Sequence, residues 1–399
     1  MAVNVNAPRG MRDFLPLDKF KRENLLALVK KTYVQRGFQE IETPVLEDLG
    51  RLTSGQGGDN EKLVFKVQKR GEEFESALSA GQELADMGLR FDLTVPLTRF
   101  YATNHAKLPR VFKAIQTGPV FRAERPQKGR YRQFIQCDID IIGDDSLLAE
   151  LELLNASLDA LSAIGLEGAT IRVNHRELLA SNIQALGVSL EDAPSAMISI
   201  DKLDKVGIQG VANELAEKFG DEVAANAKTW LEGLDPKEVP ELLQPLFSGL
   251  GDKSDSLKYD PTLVRGMGYY TGTIFEIEHP GSSGSVGGGG RYDGMVGKWL
   301  GKDVPAVGIS LGIERIVDLI PDFEQVAKSI VLVIESGQES QALGLQADLI
   351  AAGNLVRIEK MPKNLKPLLD SLSESGFDSF AILKNDSLNI ADLEIKALG

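Results

Sequence analysis

The sequence predicts a mixed α/β (α+β) fold: an antiparallel-sheet core, interrupted by a helical insertion and followed by a small C-terminal β/α domain. Three stretches predict it. Residues 117–143, TGPVFRAERPQKGRYRQFIQCDIDIIG, set Val120 and Phe121 on one side of a loop containing Pro and Gly, and Ile135, Ile139, Ile141 and Ile142 on the other; that is the pattern of a β-hairpin. Residues 178–258 are acidic, broken by Gly and Pro, and carry no alternating strand pattern, as expected of a separate helical insertion. Residues 328–399 run strand, helix, strand, helix, strand, the order of a small parallel sheet.

Composition sets the outer bounds. The 399 residues suffice for two or three domains with cores of their own, and 43% hydrophobic with 26% charged residues is ordinary for a globular protein. No apolar run approaches the roughly 20 residues of a membrane span, and the N-terminus has no signal-peptide core, so no membrane partner is expected. The single cysteine, Cys137, excludes an internal disulfide and fits a reducing cytoplasm. His105, His175 and His279 lack metal-ligand spacing, and no bound metal is expected. A net charge of −14 argues against binding nucleic acid through general basicity. The hairpin loop is the exception: Arg122, Arg125, Lys128, Arg130 and Arg132 face one acid, Glu124. Arginine's planar fork stays charged and grips phosphate or carboxylate oxygens in pairs.

In chain order, residues 18–36 place Leu25, Leu26, Leu28, Val29 and Tyr33 at helical spacing, and Gly37 stops that helix before a strand ending near Pro44. Residues 61–80 read as a hairpin with a charged tip. In LRFDLTVPLTRF, 89–100, apolar and polar residues alternate as in a strand, which would put Asp92 and Thr94 on one face about 7 Å apart. Such a pair suits an ammonium group, although pattern alone favours a half-buried strand with its polar side in water. Residues 146–164 form a periodic helix, a strand follows at Thr170–Val173, and His175 reads as structural. Residues 263–279 return to strand, with Thr271, Thr273, Phe275 and Ile277 on one face and Ile274, Glu276 and Glu278 on the other. The glycines of GSSGSVGGGGRYDGMVG lack the strand-to-helix setting of a nucleotide-binding loop; they suit close approach of backbone to a ligand or a neighbouring strand. Residues 305–320 are an apolar strand, a glycine turn and a helix with Glu314 and Arg315.

FRAERPQKGRYRQF followed by QCDIDIIG resembles the second signature motif of class II aminoacyl-tRNA synthetases, in the form carried by the histidyl-tRNA synthetase family. The helix, strand and proline at 18–44 resemble the first motif, residues 305–320 the third, and PRGM with Arg9, Gly10 and Met11 the family's opening. LVRGMGYYTGTIFE and GGGRYDG resemble its two histidine-specific signatures. The resemblance spans nearly the whole chain. It departs at Gly268, where the family's LDYY is MGYY, and the QCDID form is closer to eukaryotic and archaeal members.

The resemblance implies a class II catalytic core over 1–177 and 259–322, the insertion at 178–258, and an anticodon-binding-like domain at 326–399 that is short and acidic. It implies activation of L-histidine by ATP with magnesium, transfer to tRNA(His), and a homodimer formed through the first motif. Arg122 and Arg265 would be catalytic. Arg122, Arg130, Phe134 and Arg315 would hold ATP, with Phe134 stacked on adenine. Histidine would be held at its ammonium by Asp92, Leu93 and Thr94, at its carboxylate by Gln136, Arg122 and Arg265, and at its ring by Asp140 and Tyr270, with Tyr269 and Tyr292 shaping the pocket. Arg125 and Gln127 would reach the tRNA acceptor end. The alternatives are a non-catalytic relative, such as the regulatory subunit of ATP-phosphoribosyltransferase, and a pseudo-enzyme that binds tRNA. The former usually loses the hairpin arginines and that of VRG; Arg122, Arg130, Arg265 and Arg315 are all present here.

Overall fold

The computed structural model describes residues 5–54, 62–125, 129–266, 268–323, 328–385 and 389–398. It falls into two compact units, one built on Leu25–Pro321 and the other on Asp322–Gly399 with Phe14–Asn24. Helix α1 (Pro16–Val34) buries Leu25, Leu26, Val29 and Tyr33, and Gly37, at φ 80°, lets the chain turn out of it.

In the larger unit, β1 (Gln39–Ile41) leads to β2 (Leu46–Asp48) and the single turn α2 (Leu49–Leu52). The next stretch corrects two expectations. Residues 61–80 are not a hairpin: β3 (Lys66–Gln68) is followed by helix α3 (Gly71–Ser79), and β3 pairs instead with β4 (Ala85–Leu89). Glu72 and Glu73 sit in the first turn of α3, where carboxylates favour a helix start. Residues 89–100 are not one strand either. The strand ends at Leu89, and α4 (Thr94–Asn104) begins where Asp92 Oδ1 accepts the Val95 N–H at 3.1 Å. Pro96 lies in the first helical turn, where its missing N–H costs nothing.

The basic hairpin forms as expected, from β5 (Phe112–Phe121) and β6 (Gln133–Ile142), in register from Phe112 opposite Ile142 to Phe121 opposite Gln133. After α5 (Leu147–Ala163) and β7 (Thr170–His175) come α6 (Arg176–Ala185), α7 (Ala193–Ile200), α8 (Leu203–Phe219, kinked at Gly207), α9 (Asp221–Glu232) and α10 (Gln244–Gly249). Helices α6 to α9 enclose a core of their own, which includes Leu179, Ile183, Val211, Leu215 and Ala227. The chain returns through β8 (Leu257–Tyr259) and β9 (Thr273–Glu278), then β10 (Gly287–Arg291), α11 (Asp293–Leu300), β11 (Ala306–Gly312) and α12 (Ile313–Val317). The strand foreseen at 263–279 therefore starts only at Thr273. What precedes it is non-strand backbone, which carries Arg265, Tyr269 and Tyr270.

Eight strands make one sheet in the order β1-β5-β6-β11-β10-β9-β7-β8, antiparallel except where β1 joins β5 and β8 joins β7. The all-glycine start of β10 is explained by its neighbours. A Cβ on Gly289 would lie 1.9 Å from the Gly308 carbonyl oxygen, and one on Gly287 2.6 Å from that of Ser310.

The smaller unit runs β12 (Ser329–Ile334), α13 (Glu339–Ala351), β13 (Leu355–Lys360), α14 (Leu365–Glu374), β14 (Ser379–Ile382) and β15 (Lys396–Ala397). β12 lies parallel to both β13 and β14, the arrangement its alternating elements predict.

Candidate functional site

Strand periodicity builds one wall of a cleft. On β6, Gln136, Asp138 and Asp140 are two residues apart and share a face, and all three border an open cavity of about 970 Å³. Asp92 and Thr94 reach it from the start of α4, so the expected pair meets the site as a helix start and not as strand neighbours. Tyr269, Tyr270 and Arg265 enter from the segment before β9, and Tyr292 from the residue after β10.

Three carboxylates, Asp92, Asp138 and Asp140, are each 2–3% exposed. Burial raises Asp92 to about 6 against the Val95 N–H, the Arg122 charge and the Tyr269 hydroxyl, which donates to Oδ2 at 3.3 Å. Asp140 is pushed up to about 7 by burial, although the Tyr292 hydroxyl donates to its Oδ1 at 2.6 Å. Asp138 is raised well above the carboxylate range by burial and by neighbouring Asp140. Gly308 lies opposite Asp140 on β11, where a Cβ would fall 1.9 Å from Oδ1; a side chain there would evict the carboxylate.

Arginines form the other wall. Arg122 Nε donates to the Phe91 carbonyl at 3.1 Å, and the guanidinium stands 5.1 Å over the Phe134 ring. Burial lowers its pKa, and Asp92 and then Glu124 oppose that shift. Arg265 pairs with Glu276 at 2.5 Å; burial works against its charge, yet Glu276, Tyr270 and Tyr269 together outweigh it and the net shift is upward. Toward the mouth, Arg315 donates to the carbonyls of Gly129, at 2.9 Å, and Ser285, while Arg130 stands 3.5 Å from Glu124. Glu314 Oε2 accepts the Ile135 N–H at 2.7 Å and ties α12 to β6.

Among the described residues that border the cleft, two side-chain atoms are buried without a partner: Arg265 Nε and Gln136 Oε1. Gln136 Nε2 is engaged, by Ser310 Oγ at 2.5 Å and Asp138 Oδ1 at 3.4 Å, so the group left over is an acceptor. Buried polar atoms left unpaired cost stability, and a ligand that pairs them recovers it.

Of the residues singled out in the sequence, Asp92, Thr94, Arg122, Arg130, Phe134, Gln136, Asp140, Arg265, Tyr269, Tyr270, Tyr292 and Arg315 border this one cleft. Leu93 does not; it is fully buried in the core, and its carbonyl accepts Gln116 Nε2 at 2.7 Å. Arg125 is exposed and does not border the cleft, and Gln127 lies outside the described residues. Sequence reasoning missed Asp138, Ser310 and the bridging role of Glu276. The period-2 run Gln136–Asp138–Asp140 carried the signal for the first; the other two needed strand pairing. Among the described residues, no three His, Cys, Asp or Glu side chains are grouped to hold a metal.

The profile of the family described as "Histidyl-tRNA synthetase" matches residues 10–316. A histidine--tRNA ligase of Leifsonia xyli subsp. xyli is 48% identical, the alignment covering 100% of this chain and 99% of that protein. A probable histidine--tRNA ligase of Tropheryma whipplei is 40% identical over 96% of both. Among solved structures, the histidyl-tRNA synthetase of Nostoc sp. PCC 7120 superposes with a TM-score of 0.76 at 26% identity, over 100% of this chain and 95% of that one.

Proposed function

This chain belongs to the histidyl-tRNA synthetase family, and from that membership we propose how its cleft performs both half-reactions of a histidine–tRNA ligase. The enzyme is an aminoacyl-tRNA synthetase: it joins L-histidine to ATP as histidyl-adenylate, releases pyrophosphate, and transfers histidine to the 3′ end of tRNA(His).

In the first step an oxygen of the histidine carboxylate bonds to the α-phosphorus, and the bond from that phosphorus to the bridging oxygen of pyrophosphate breaks. Both reactants are anions, so the site must supply fixed positive charge and alignment, not a covalent nucleophile. Arg122 would face the α-phosphate and the attacking carboxylate, with Arg265 offering its unpartnered Nε from the other side. Arg130 and Arg315 would hold the outer phosphates and Phe134 the adenine. Magnesium would arrive on the phosphates; Glu124 and Glu314 at the same end supply the hard oxygen donors it favours.

Asp92 and Thr94 would take the α-ammonium. The sequence reading gave Gln136 to the carboxylate; with Nε2 already held, its remaining oxygen suits the ammonium better, and the carboxylate is left to the arginines. Leu93 packs beneath them. Tyr292 occupies one oxygen of Asp140, whose other oxygen would accept a ring N–H, with Tyr270 serving the second ring nitrogen. An amino acid lacking those groups would leave buried polar atoms unpaired, which rejects it without editing.

Arg125 and Gln127 would touch the acceptor end of the tRNA, the Asp322–Gly399 unit its anticodon, and the first motif would make a homodimer. With one buried cysteine and no described helix long and apolar enough to cross a membrane, a cytoplasmic setting fits. The domain limits given above go with this reading.

The observation that carries the reading is the meeting of Asp140, Asp92, Arg122 and Arg265 in one cleft beside two unpaired buried polar atoms. Its test is histidine-dependent exchange of labelled pyrophosphate into ATP without tRNA, beside Arg265→Ala. Exchange with histidine alone, slowed roughly 10³-fold in the variant, is expected; histidine binding without exchange would sink it.

A further inference from the structure

Arg172, on β7, has no place in the scheme above, yet it sits among four carboxylates. It pairs with Asp260, with Glu278 at 2.7 Å, with Glu276 at 3.4 Å, and with Asp204 of α8 at 3.7 Å. Its side chain is 16% exposed. Burial works to lower its pKa, but Asp260 and Glu278 outweigh this and leave it raised.

Glu276 is the link. Its Oε1 faces Arg172 and its Oε2 faces Arg265, so one carboxylate bridges two guanidinium groups through separate oxygens. The register explains why: Arg172 lies directly opposite Glu276 across the β7–β9 pair, and Arg265 reaches the same residue from the segment before β9. The bridge joins residues of two cavities. Arg265 borders the substrate cleft, while Arg172 and Glu276 border a second, open cavity that shares Ser285 with it.

A carboxylate shared by two cations neutralises each only in part. Without Arg172, Glu276 would turn its full charge on Arg265, and Glu278 and Asp260 would lose their counter-ion. Arg265 would then be drawn back from the cleft and its charge cancelled, just where a developing anion needs it.

We propose that Arg172 is a positioning residue for histidine activation: by holding Oε1 of Glu276 and balancing the acids around it, it keeps Arg265 aimed into the cleft with its charge available. The proposal rests on the reading of the cleft given above.

Single-turnover adenylate formation with histidine and ATP tests it, in Arg172→Met, Arg172→Lys, Arg265→Ala and the Arg172→Met/Arg265→Ala pair. Arg172→Met is expected to lower the rate about tenfold, with the ATP requirement changed less than about twofold. Arg172→Lys, which keeps the charge but not the fork, should lose only about threefold. In the Arg265→Ala background, Arg172→Met should have no further effect, because the two act through one bridge. A purely structural arginine would give the same loss in both backgrounds, and that result, or an unchanged rate in Arg172→Met, would overturn the proposal. If Arg172→Met does not fold, Arg172→Lys carries the same cycle. An unaltered chain that forms no adenylate would overturn the reading of the cleft and this proposal together; normal activity with an indifferent Arg172 would overturn the proposal alone.

Discussion

Strands β6 and β12 are buried to a similar degree and made for opposite ends. In β12 every residue from Ser329 to Ile334 is buried, and Ile330, Val331, Leu332, Val333 and Ile334 are apolar. Each such side chain contributes about 1.5–3 kcal/mol by leaving water. In β6, Gln136 through Ile142 are all buried, and Gln136, Asp138 and Asp140 are among them. Removing carboxylates from water costs stability until a cation or a proton joins them. The smaller unit is thus built to hold together, and the cleft of the larger one holds unspent binding capacity for a ligand. A carboxylate of the smaller unit sits at the surface instead: exposed Asp378 accepts from Ser329 N and Oγ, both at 2.8 Å, which holds its pKa below the ordinary value.

The contrast can be broken most sharply at Arg122. Arg122→Ala should slow adenylate formation roughly 10³-fold, the scale expected when a fixed charge facing a developing anion is lost; single-turnover kinetics would measure it, and a change within tenfold would remove the arginine from the chemistry. Next in size are two losses of stability. Gly289→Ala pushes a methyl group against the Gly308 carbonyl and should destabilise the larger unit by about 3 kcal/mol through overpacking. Leu332→Ala, in the fully buried strand of the smaller unit, should cost about 2–5 kcal/mol, while adenylate formation per folded molecule stays unchanged. Urea titrations followed by circular dichroism would read both.

Asp140 sharpens the comparison further. Its folded pKa of about 7 lies well above the ordinary carboxylate value, so the folded chain binds this proton more tightly than the unfolded one. The stability this proton contributes is present at acid pH below the unfolded value and is lost as pH rises through about 7. Asp140→Asn removes the charge and should raise stability at about pH 8 by about 1 kcal/mol or more, with little gain at about pH 4. The same substitution should abolish selection of histidine. In the unaltered enzyme, activation should climb as pH rises through about 7, with the ionised carboxylate; a flat profile would show that another group receives the ring. The smallest effect belongs to the mouth: Arg130, 45% exposed and 3.5 Å from Glu124, should contribute under about 1 kcal/mol to stability, so Arg130→Ala should alter the ATP requirement and leave the unfolding midpoint in place.

Much of this was legible in the residues. The hairpin of β5 and β6 follows from apolar flanks and a loop of Pro and Gly, and the smaller unit from apolar runs alternating with amphipathic ones. The twelve residues from Leu89 misled because two mechanisms overlap there. Alternation continues past the end of β4, but the Asp92 carboxylate takes the Val95 N–H and starts a helix, a local bond that outweighs the pattern. Residues 61–80 misled because the partner of β3 comes only after α3. Arg172, Glu276 and Asp204 lie far apart in sequence, and their meeting depends on packing β7, β9 and the insertion together. No motif announces that.

Cys137 carries a practical consequence. Its sulfur is wholly buried on β6, accepts from Thr117 Oγ1 at 3.4 Å, and burial pushes the thiol up to about 12. Reagents that seek a thiolate will pass it by in the folded enzyme at neutral pH. The unaltered chain is therefore already a silent background for single-site labelling: one cysteine introduced on an exposed face would accept a fluorophore or spin probe, with no need first to remove the native thiol and disturb the strand that carries the binding carboxylates.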